Sequence, residues 1–196
     1  RAFTPREREA SGKMKTAAAR RVKPEGYVMI LLHAHMPYVR HAEQEGVLEE
    51  AWLYEAITES YLPLLRALEE LADRGVPYRL VLSLSTPLLS MLSDPLVQNR
   101  YPRYLSGLVE LAEREAFRHR SRPLFQRLAL YYRDQFLRCL TLFQQRYRCN
   151  LVAAFRQLAD AGYLELWTSA ATHAYLPLLA HYPRFVELQL SLALRA

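Results

Sequence analysis

The sequence predicts an α/β protein in which parallel strands alternate with helices. Three short apolar runs have the character of buried strands, and each is followed by a longer segment in which apolar residues recur at helical spacing. Strands that are connected through helices pair in parallel, and the helices pack on the outside of the sheet. We expect the strands near residues 27–32, 79–84 and 163–168.

The first strand lies in the segment GYVMILLHAH, residues 26–35, and a helix follows it. The apolar residues of this segment are continuous rather than alternating, which is typical of a strand buried on both faces. In residues 49–74, apolar residues recur every three or four positions, and Gly75 is the expected C-cap. Pro63 lies inside this pattern, so we expect a kink or a break near Ser60.

The second strand, in the segment YRLVLSLS, precedes another helix. Thr86 is the predicted N-cap of that helix, with Pro87 at its first position. Residues 96–118 and 123–161 then continue with helical periodicity. Such a stretch is too long for a simple crossover between parallel strands. We therefore expect a helical insertion at about residues 96–161.

The third strand follows Gly162, which is expected to end the insertion. A last helix starts near Pro183. In chain order the prediction is strand, helix, strand, helix, helical insertion, strand and helix.

The basic residues are concentrated at the start of the chain. The first 23 residues hold eight of the 26 Lys and Arg and two of the 20 Asp and Glu, so the rest of the chain carries no net formal charge. We expect residues 1–24 to be a basic, disordered extension and residues 25–196 to form the folded part. Since no basic face is indicated in that part, we expect no nucleic-acid partner. The sequence leaves the oligomeric state open.

Neither a secretory signal nor a membrane-length apolar run is found in the sequence. Cys139 and Cys149 lie ten residues apart in a helical stretch, a spacing that indicates neither a metal pair nor a disulfide. We therefore expect a cytoplasmic protein with no membrane partner.

Histidines stand at the ends of the first and third strands. His33 and His35 are one residue apart, so an extended backbone directs both side chains to the same side, and His173 follows the third strand. Active sites of α/β proteins lie at the carboxyl ends of their parallel strands. The remaining histidines have no such placement and are interpreted as surface residues: His41, His119 and His181.

Three interpretations of these histidines compete. A single histidine of this kind is more often a core residue that hydrogen-bonds backbone carbonyls, but three at equivalent strand ends favour a functional site. In one functional interpretation they bind zinc or iron, as in a metal-dependent barrel hydrolase or deacetylase. No Asp or Glu stands at either strand end to complete such a site. In the other, neutral imidazoles hydrogen-bond sugar hydroxyls while Tyr38, Trp167 or Tyr175 offers an apolar face.

The segment HAHMPYVR, residues 33–40, resembles the first conserved motif of glycoside hydrolase family 57, in the form found in its α-1,4-glucan branching enzymes. Three later segments resemble those enzymes in the same order: EAWLYEAITESYLPLLRALEEL (50–71), LVLSLSTPLLSML (80–92) and LELWTSAATHAYLPLL (164–179). The resemblance covers about residues 27–195. It implies an incomplete (β/α)7 barrel, of which this chain supplies the first three strands.

The resemblance also implies a substrate and a site. His33, His35 and His173 would line a donor sugar subsite for an α-glucan such as amylose or a glycogen-like polymer, with no metal and no cofactor. The catalytic nucleophile, a Glu, and the acid/base, an Asp, would lie beyond Ala196, so we expect no catalytic residue in this chain and no activity from it alone. An amylase or a 4-α-glucanotransferase is the alternative within the family.

The acidic residues of the chain have structural interpretations. Glu165 on the third strand is expected to face a helix or to form an ion pair. Four glutamates near the start of the first helix are interpreted as a solvated acidic face: Glu43, Glu45, Glu49 and Glu50.

Overall fold

The computed structural model of the chain describes residues 26–196. Its strands β1 (Leu31–Ala34), β2 (Leu80–Leu84) and β3 (Leu164–Trp167) form one sheet in the order β1-β2-β3. Both strand pairings are parallel. The predicted α/β class with parallel strands is therefore confirmed. The prediction for residues 1–24 lies outside the described part of the chain.

The helices hold several times as many residues as the strands. Two five-residue π-helical segments, Ile57–Tyr61 and Leu142–Arg146, continue α-helices that precede them. The α-helices of the described chain are α1 (Leu48–Ala56), α2 (Leu62–Asp73), α3 (Thr86–Leu92), α4 (Pro95–Arg118), α5 (Pro123–Thr141), α6 (Leu151–Asp160), α7 (Leu176–Leu179) and α8 (Pro183–Ala193).

Strand β1 begins later than predicted and is not buried on both faces. Tyr27 and Val28 lie before the strand and are 92% and 91% exposed. Within the described residues β1 and β3 are the edges of the sheet, so only β2 has a strand on each side. The continuous apolar run led us to expect that β1 is buried on both faces. In this sheet only the central strand β2 is buried in that way, with four of its five residues buried.

The expected break near Ser60 is a π-helical segment. Residues 57–61 form one wide turn between α1 and α2, and this turn ends two residues before Pro63. Proline cannot donate a backbone hydrogen bond and crowds the preceding turn, which a π segment relieves without ending the helix. The predicted C-cap is also present: Gly75 has φ +67°, and the N–H of Val76 donates to the carbonyl of Leu71 at 3.0 Å.

The predicted N-cap of α3 is displaced by one residue. Ser85 has an extended backbone, with φ −74° and ψ 147°, and is the residue that precedes the helix. Thr86 is already helical, so its prediction as N-cap was wrong. Ser85 is the single residue between β2 and α3, so its side chain lies at the carboxyl end of β2.

Helices occupy the predicted insertion between β2 and β3, but its second half is not one helix. Helices α4 and α5 pack against each other as a hairpin. The expected helix over residues 123–161 is interrupted by Arg148 and Cys149, whose φ angles are +49° and +61°. Asn150 then caps α6 by accepting a hydrogen bond from the N–H of Ala153 at 2.9 Å. The prediction failed because the periodicity of apolar residues does not reveal a break of two residues in the left-handed conformation when neither is a glycine. The predicted end of the insertion holds, since Gly162 has φ +83°.

The apolar core lies between one face of the sheet and the helices. Leu82 and Leu84 of β2 and Leu164 of β3 belong to the same buried cluster as residues from α1 to α6. Side chains alternate along a strand, so Val81 and Ser83 lie on the opposite face of the sheet. The polar residues that end the strands therefore project away from the helical core.

None of the helices in residues 26–196 combines the length and the apolarity that crossing a bilayer requires.

Candidate functional site

The three histidines of the strand ends come together at one place. His33 belongs to β1, His35 directly follows it, and His173 lies in the turn after β3. The Nε2 atoms of His33 and His173 are 2.9 Å apart, which is hydrogen-bond distance. The ring of His35 stacks on the ring of His173 with centroids 3.8 Å apart. The structure thus forms an imidazole cluster at the carboxyl end of the sheet, whose role in binding remains a prediction.

Two serines at the carboxyl end of β2, one in the strand and one directly after it, orient two of the three imidazoles. His33 Nδ1 is 3.1 Å from the Oγ of Ser83, and His35 Nδ1 is 2.9 Å from the Oγ of Ser85. The register pairs His33 with Ser83 directly, and the His-x-His and Ser-x-Ser segments continue in step. Ser83 and Ser85 are 6% and 0% exposed, so neither hydroxyl is freely hydrated.

These two serines were not among the predicted site residues. A signal was present, because the segment SLS at the end of the second predicted strand has the same one-residue spacing as HAH at the end of the first. The sequence does not show, however, that the two strands are neighbours with His33 opposite Ser83, and this pairing is what brings the serines to the histidines. Each serine fixes one nitrogen of its imidazole, and thereby determines where the other nitrogen points.

The geometry of the imidazole cluster does not suit a metal ion. Metal ligation requires lone pairs that converge on one point, and imidazole lone pairs lie in the plane of the ring. The rings of His35 and His173 are stacked within 15° of parallel. Both nitrogens of His33 are already at hydrogen-bond distance from Ser83 and His173. Within residues 26–196, no group of three His, Cys, Asp or Glu side chains is arranged to hold a metal.

The electrostatic environment keeps His35 neutral. Burial lowers the pKa of His35 below its ordinary value, and the neighbouring imidazoles of His173 and His33 lower it further. A neutral imidazole carries one donor and one acceptor nitrogen, whereas an imidazolium carries two donors. His35 can therefore accept a hydrogen bond from a ligand hydroxyl at neutral pH.

His173 has an unusual backbone conformation. Its φ of +55° lies in the left-handed region, which costs a residue other than glycine about 1 kcal/mol or more. The N–H of His173 donates to the carbonyl of Ala170 at 2.7 Å and closes a tight turn. Such strain persists where the surroundings hold it, and here it directs the imidazole of His173 toward His33 and His35.

The three aromatic candidates are placed differently from one another. Trp167 is in register with Ser83, which in turn pairs with His33, so the three side chains lie on the same face of the sheet. Tyr38 and Tyr175 are 56% and 69% exposed in the loops beyond β1 and β3. In the described residues neither phenol ring packs on the imidazole cluster. Of these three aromatic residues, only Trp167 lies beside the imidazole cluster on the sheet, in register with Ser83 and His33.

The nearest acidic residue on the sheet is already engaged. Glu165 accepts a hydrogen bond from Trp167 Nε1 at 2.9 Å and forms an ion pair with Arg79 at 3.4 Å. The expected ion pair of Glu165 is thus confirmed. Glu165 also fixes the indole of Trp167, since the indole N–H is that ring's single hydrogen-bond donor.

The interpretation of the four glutamates as a solvated face was wrong for Glu50. Its side chain is 2% exposed and pairs with Arg100, 7% exposed, at 2.7 Å. The same carboxylate accepts hydrogen bonds from the backbone N–H of His41 at 2.9 Å and the hydroxyl of Tyr54 at 3.1 Å. Arg100 also donates to the carbonyl of His41 at 2.6 Å. Sequence pattern could not show this, because the arginine that permits burial lies 50 residues away.

This buried ion pair holds the chain that follows the histidines. Arg100 contacts the carbonyls of His41 and Ala42, and Arg40 pairs with Asp94 at 2.7 Å. Burial of Tyr54 and its contact with the Glu50 carboxylate raise the pKa of its phenol well above the ordinary value, so it remains a donor. The loop that leaves β1 is therefore fixed at its far end by the helical core.

Comparison with known proteins identifies the family. The model of glycosyl hydrolase family 57 matches residues 29–193. A 1,4-alpha-glucan branching enzyme of Thermococcus kodakarensis is 33% identical over 155 residues, which are 79% of this chain and 22% of that enzyme. The chain thus spans less than a quarter of the length of that relative.

Two solved structures share the fold. The alpha-amylase AmyC of Thermotoga maritima is 40% identical with a TM-score of 0.79, over 85% of this chain and 32% of that one. The family 57-type branching enzyme of Pyrococcus horikoshii is 35% identical with a TM-score of 0.79, over 87% of this chain and 31% of that one. The parallel sheet and the helical insertion are therefore part of the (β/α)7 barrel, and this chain belongs to glycosyl hydrolase family 57.

Proposed function

We propose that this chain is the N-terminal part of a 1,4-α-glucan branching enzyme, and that its imidazole cluster binds one sugar ring of an α-glucan. The curated relative and one of the solved structures are branching enzymes. Such an enzyme cuts an α-1,4 link and remakes the chain as an α-1,6 branch. Residues 25–196 would then be the first part of its barrel, and glycogen-like glucans in the cytoplasm would be its substrate.

The observation that carries this proposal is the fixation of His33 and His35 by Ser83 and Ser85. In the described part of the chain, the Nε2 of His35 and the Nδ1 of His173 have no protein hydrogen-bond partner. Sugar hydroxyls both donate and accept, so ring nitrogens held in fixed directions are suited to hydrogen-bond them. Trp167 supplies an apolar surface in the same row as His33 and Ser83.

Imidazoles cannot cleave the glycosidic bond by themselves. A retaining enzyme requires a carboxylate nucleophile and a carboxylic acid about 5 Å apart. Glu165 is held by Arg79 and Trp167, and Glu50 is buried against Arg100. We propose that both catalytic carboxylates lie outside residues 1–196, as the family resemblance implies.

The binding proposal is tested with three alanine variants of the intact protein: His33→Ala, His35→Ala and His173→Ala. His35→Ala and His173→Ala each remove an imidazole that has a ring nitrogen without a partner among the described residues, and His33→Ala removes the group that hydrogen-bonds His173. We therefore expect amylose affinity in gel electrophoresis to fall about 3- to 10-fold in each variant. His181→Ala is the matched control, since His181 is exposed and lies in the turn between α7 and α8 rather than at a strand end. Unchanged affinity in all three variants, or stoichiometric zinc or iron in the purified protein, would contradict the proposal.

An alpha-amylase is a second candidate because AmyC is 40% identical to this chain. Incubation of the intact protein with amylose separates the two. A branching enzyme creates α-1,6 linkages, which are detected by their anomeric proton signals, and lowers iodine staining without a matching release of reducing ends. An amylase releases reducing ends and creates no α-1,6 linkages.

The placement of the carboxylates has its own test. Residues 1–196 alone should show no turnover of amylose, beside a longer form that includes the following strands. Since loss of both carboxylates removes the nucleophile and the proton donor, the deficit should be several orders of magnitude. Measurable branching by the short chain would show that its own residues include the catalytic pair.

A further inference from the structure

The turn that carries His173 is held by a residue that the proposed sugar site does not include. Gln189 lies on α8, and its side-chain Oε1 accepts a hydrogen bond from the backbone N–H of Thr172 at 2.8 Å. The same oxygen is 3.2 Å from the hydroxyl of Thr172. The backbone carbonyl of Gln189 accepts a further bond from the N–H of Ala171 at 3.1 Å. One glutamine therefore fixes the two residues that precede His173.

Packing alone does not explain the conformation of this turn. Thr172 and His173 are both exposed, so little apolar burial holds them in place. His173 nevertheless has a left-handed backbone, with φ +55°. A strained conformation of this kind persists only where neighbouring groups over-determine it. The hydrogen bonds that Gln189 accepts from Ala171 and Thr172 hold the backbone of this turn, across 17 residues of sequence for Thr172.

The turn decides where the imidazole of His173 lies. That ring is hydrogen-bonded to His33 through Nε2 and stacked on His35, whereas His33 and His35 are fixed independently by Ser83 and Ser85. His173 has no serine partner among the described residues. Its position therefore depends on the backbone of its turn.

We propose that Gln189 is a positioning residue that holds His173 in the imidazole cluster and thereby sets the affinity for the sugar ring. The part of this inference that concerns affinity rests on the proposed function. The part that concerns the position of His173 does not.

The test compares Gln189→Leu with Gln189→Glu in the intact protein at pH 8. Leucine has a similar size but no acceptor, whereas the glutamate carboxylate keeps an acceptor oxygen at the same distance from the backbone. The first readout is the rate at which diethyl pyrocarbonate modifies His173, measured by peptide mass spectrometry with the exposed His181 as internal reference. The second is amylose affinity, and thermal unfolding verifies that each variant is folded.

In Gln189→Leu we expect His173 to be modified several-fold faster relative to His181, and amylose affinity to fall about 3- to 10-fold. Gln189→Glu should stay near the wild type in both readouts. Thr172→Val removes only the hydroxyl contact and should give a smaller change in the same direction, which keeps the test available if the leucine variant does not fold. Glu187→Leu, at an exposed position of the same helix, is the matched control.

Three outcomes decide between the inferences. If folded Gln189→Leu changes neither readout, or if leucine and glutamate variants are equally impaired, the positioning role is overturned. If His173 is modified faster while amylose affinity is unchanged, the positioning role is supported and the assignment of His173 to sugar binding fails. If both readouts change in leucine and neither in glutamate, both inferences are supported.

Discussion

Two polar clusters of this molecule are built in opposite ways. The carboxylate of Glu50 and the guanidinium of Arg100 are almost completely buried, and the carboxylate is satisfied by protein donors. The imidazole cluster lies on the open face of the sheet, where His33 and His173 are exposed. Serines fix His33 and His35, whereas one ring nitrogen of His35 and one of His173 have no protein partner among the described residues. The buried carboxylate is already occupied by protein donors, whereas an oriented cluster with unpartnered nitrogens can bind a ligand.

The two clusters are nevertheless connected through the chain between them. The loop that begins at His35 ends at His41 and Ala42, whose carbonyls accept hydrogen bonds from Arg100. Loss of the buried pair should therefore affect stability more than binding, and loss of the serines should affect binding more than stability. This contrast can be tested from the largest expected effect to the smallest.

Arg100→Met should produce the largest loss of stability. Removing one partner of a buried ion pair leaves the Glu50 carboxylate uncompensated, which costs about 3–5 kcal/mol of unfolding free energy. Urea denaturation of the intact protein measures this loss. Arg103→Met is the control, because the pair of Arg103 and Glu45 is exposed, and exposed pairs contribute about 0.2–1 kcal/mol.

A double variant sharpens this result. Arg100→Met combined with Glu50→Leu removes both charges, and should recover much of the lost stability because no buried charge remains unpaired. Equal destabilisation by Arg100→Met and Arg103→Met would show that the Glu50–Arg100 pair is not the buried, stabilising contact described above.

Ser85→Ala should have a moderate effect, mainly on binding. The substitution leaves His35 Nδ1 without its partner at 2.9 Å and frees the ring to rotate. We expect stability to fall by about 1 kcal/mol and amylose affinity to fall several-fold. Ser191→Ala is the matched control, since the hydroxyl of Ser191 bonds a carbonyl of its own helix. If Ser85→Ala lowered stability strongly while affinity stayed constant, the serine would be a purely structural residue.

The pH dependence contributed by His35 should be the smallest of these effects. Because the pKa of His35 is lowered in the folded protein, the unfolded chain takes up a proton first as pH falls through the ordinary value of 6.5. The unfolded state then binds more protons than the folded state, so this group lowers stability on acidification below about pH 6.5. Thermal unfolding from pH 8 to pH 5 should show a smaller decline for His35→Asn than for the wild type. His181→Asn, at an exposed position, should retain the wild-type decline. Identical profiles for His35→Asn and the wild type would show that the pKa of His35 is not lowered in the folded protein.

Most of the local structure could be predicted from the sequence, because capping residues, proline and apolar periodicity act over only a few residues. Gly75 and Gly162 end helices where a left-handed backbone is needed, and Pro63 lies just after the wide turn that it causes. Apolar spacing likewise placed β2, β3 and the last helix within one or two residues of where they lie. The errors at β1 and at Thr86 concern boundaries, which are decided by the neighbouring strand and by backbone geometry rather than by residue type.

The sequence by itself determined the α/β order of elements and the presence of histidines at the ends of two strands. Only the tertiary structure decided that Ser83 and Ser85 orient the imidazoles, that Arg100 buries Glu50, and that Gln189 holds the turn of His173. The physical reason is distance along the chain. Periodicity and capping are local preferences, whereas each of these hydrogen bonds joins groups from different elements and forms only when the packing of sheet and helices brings them together.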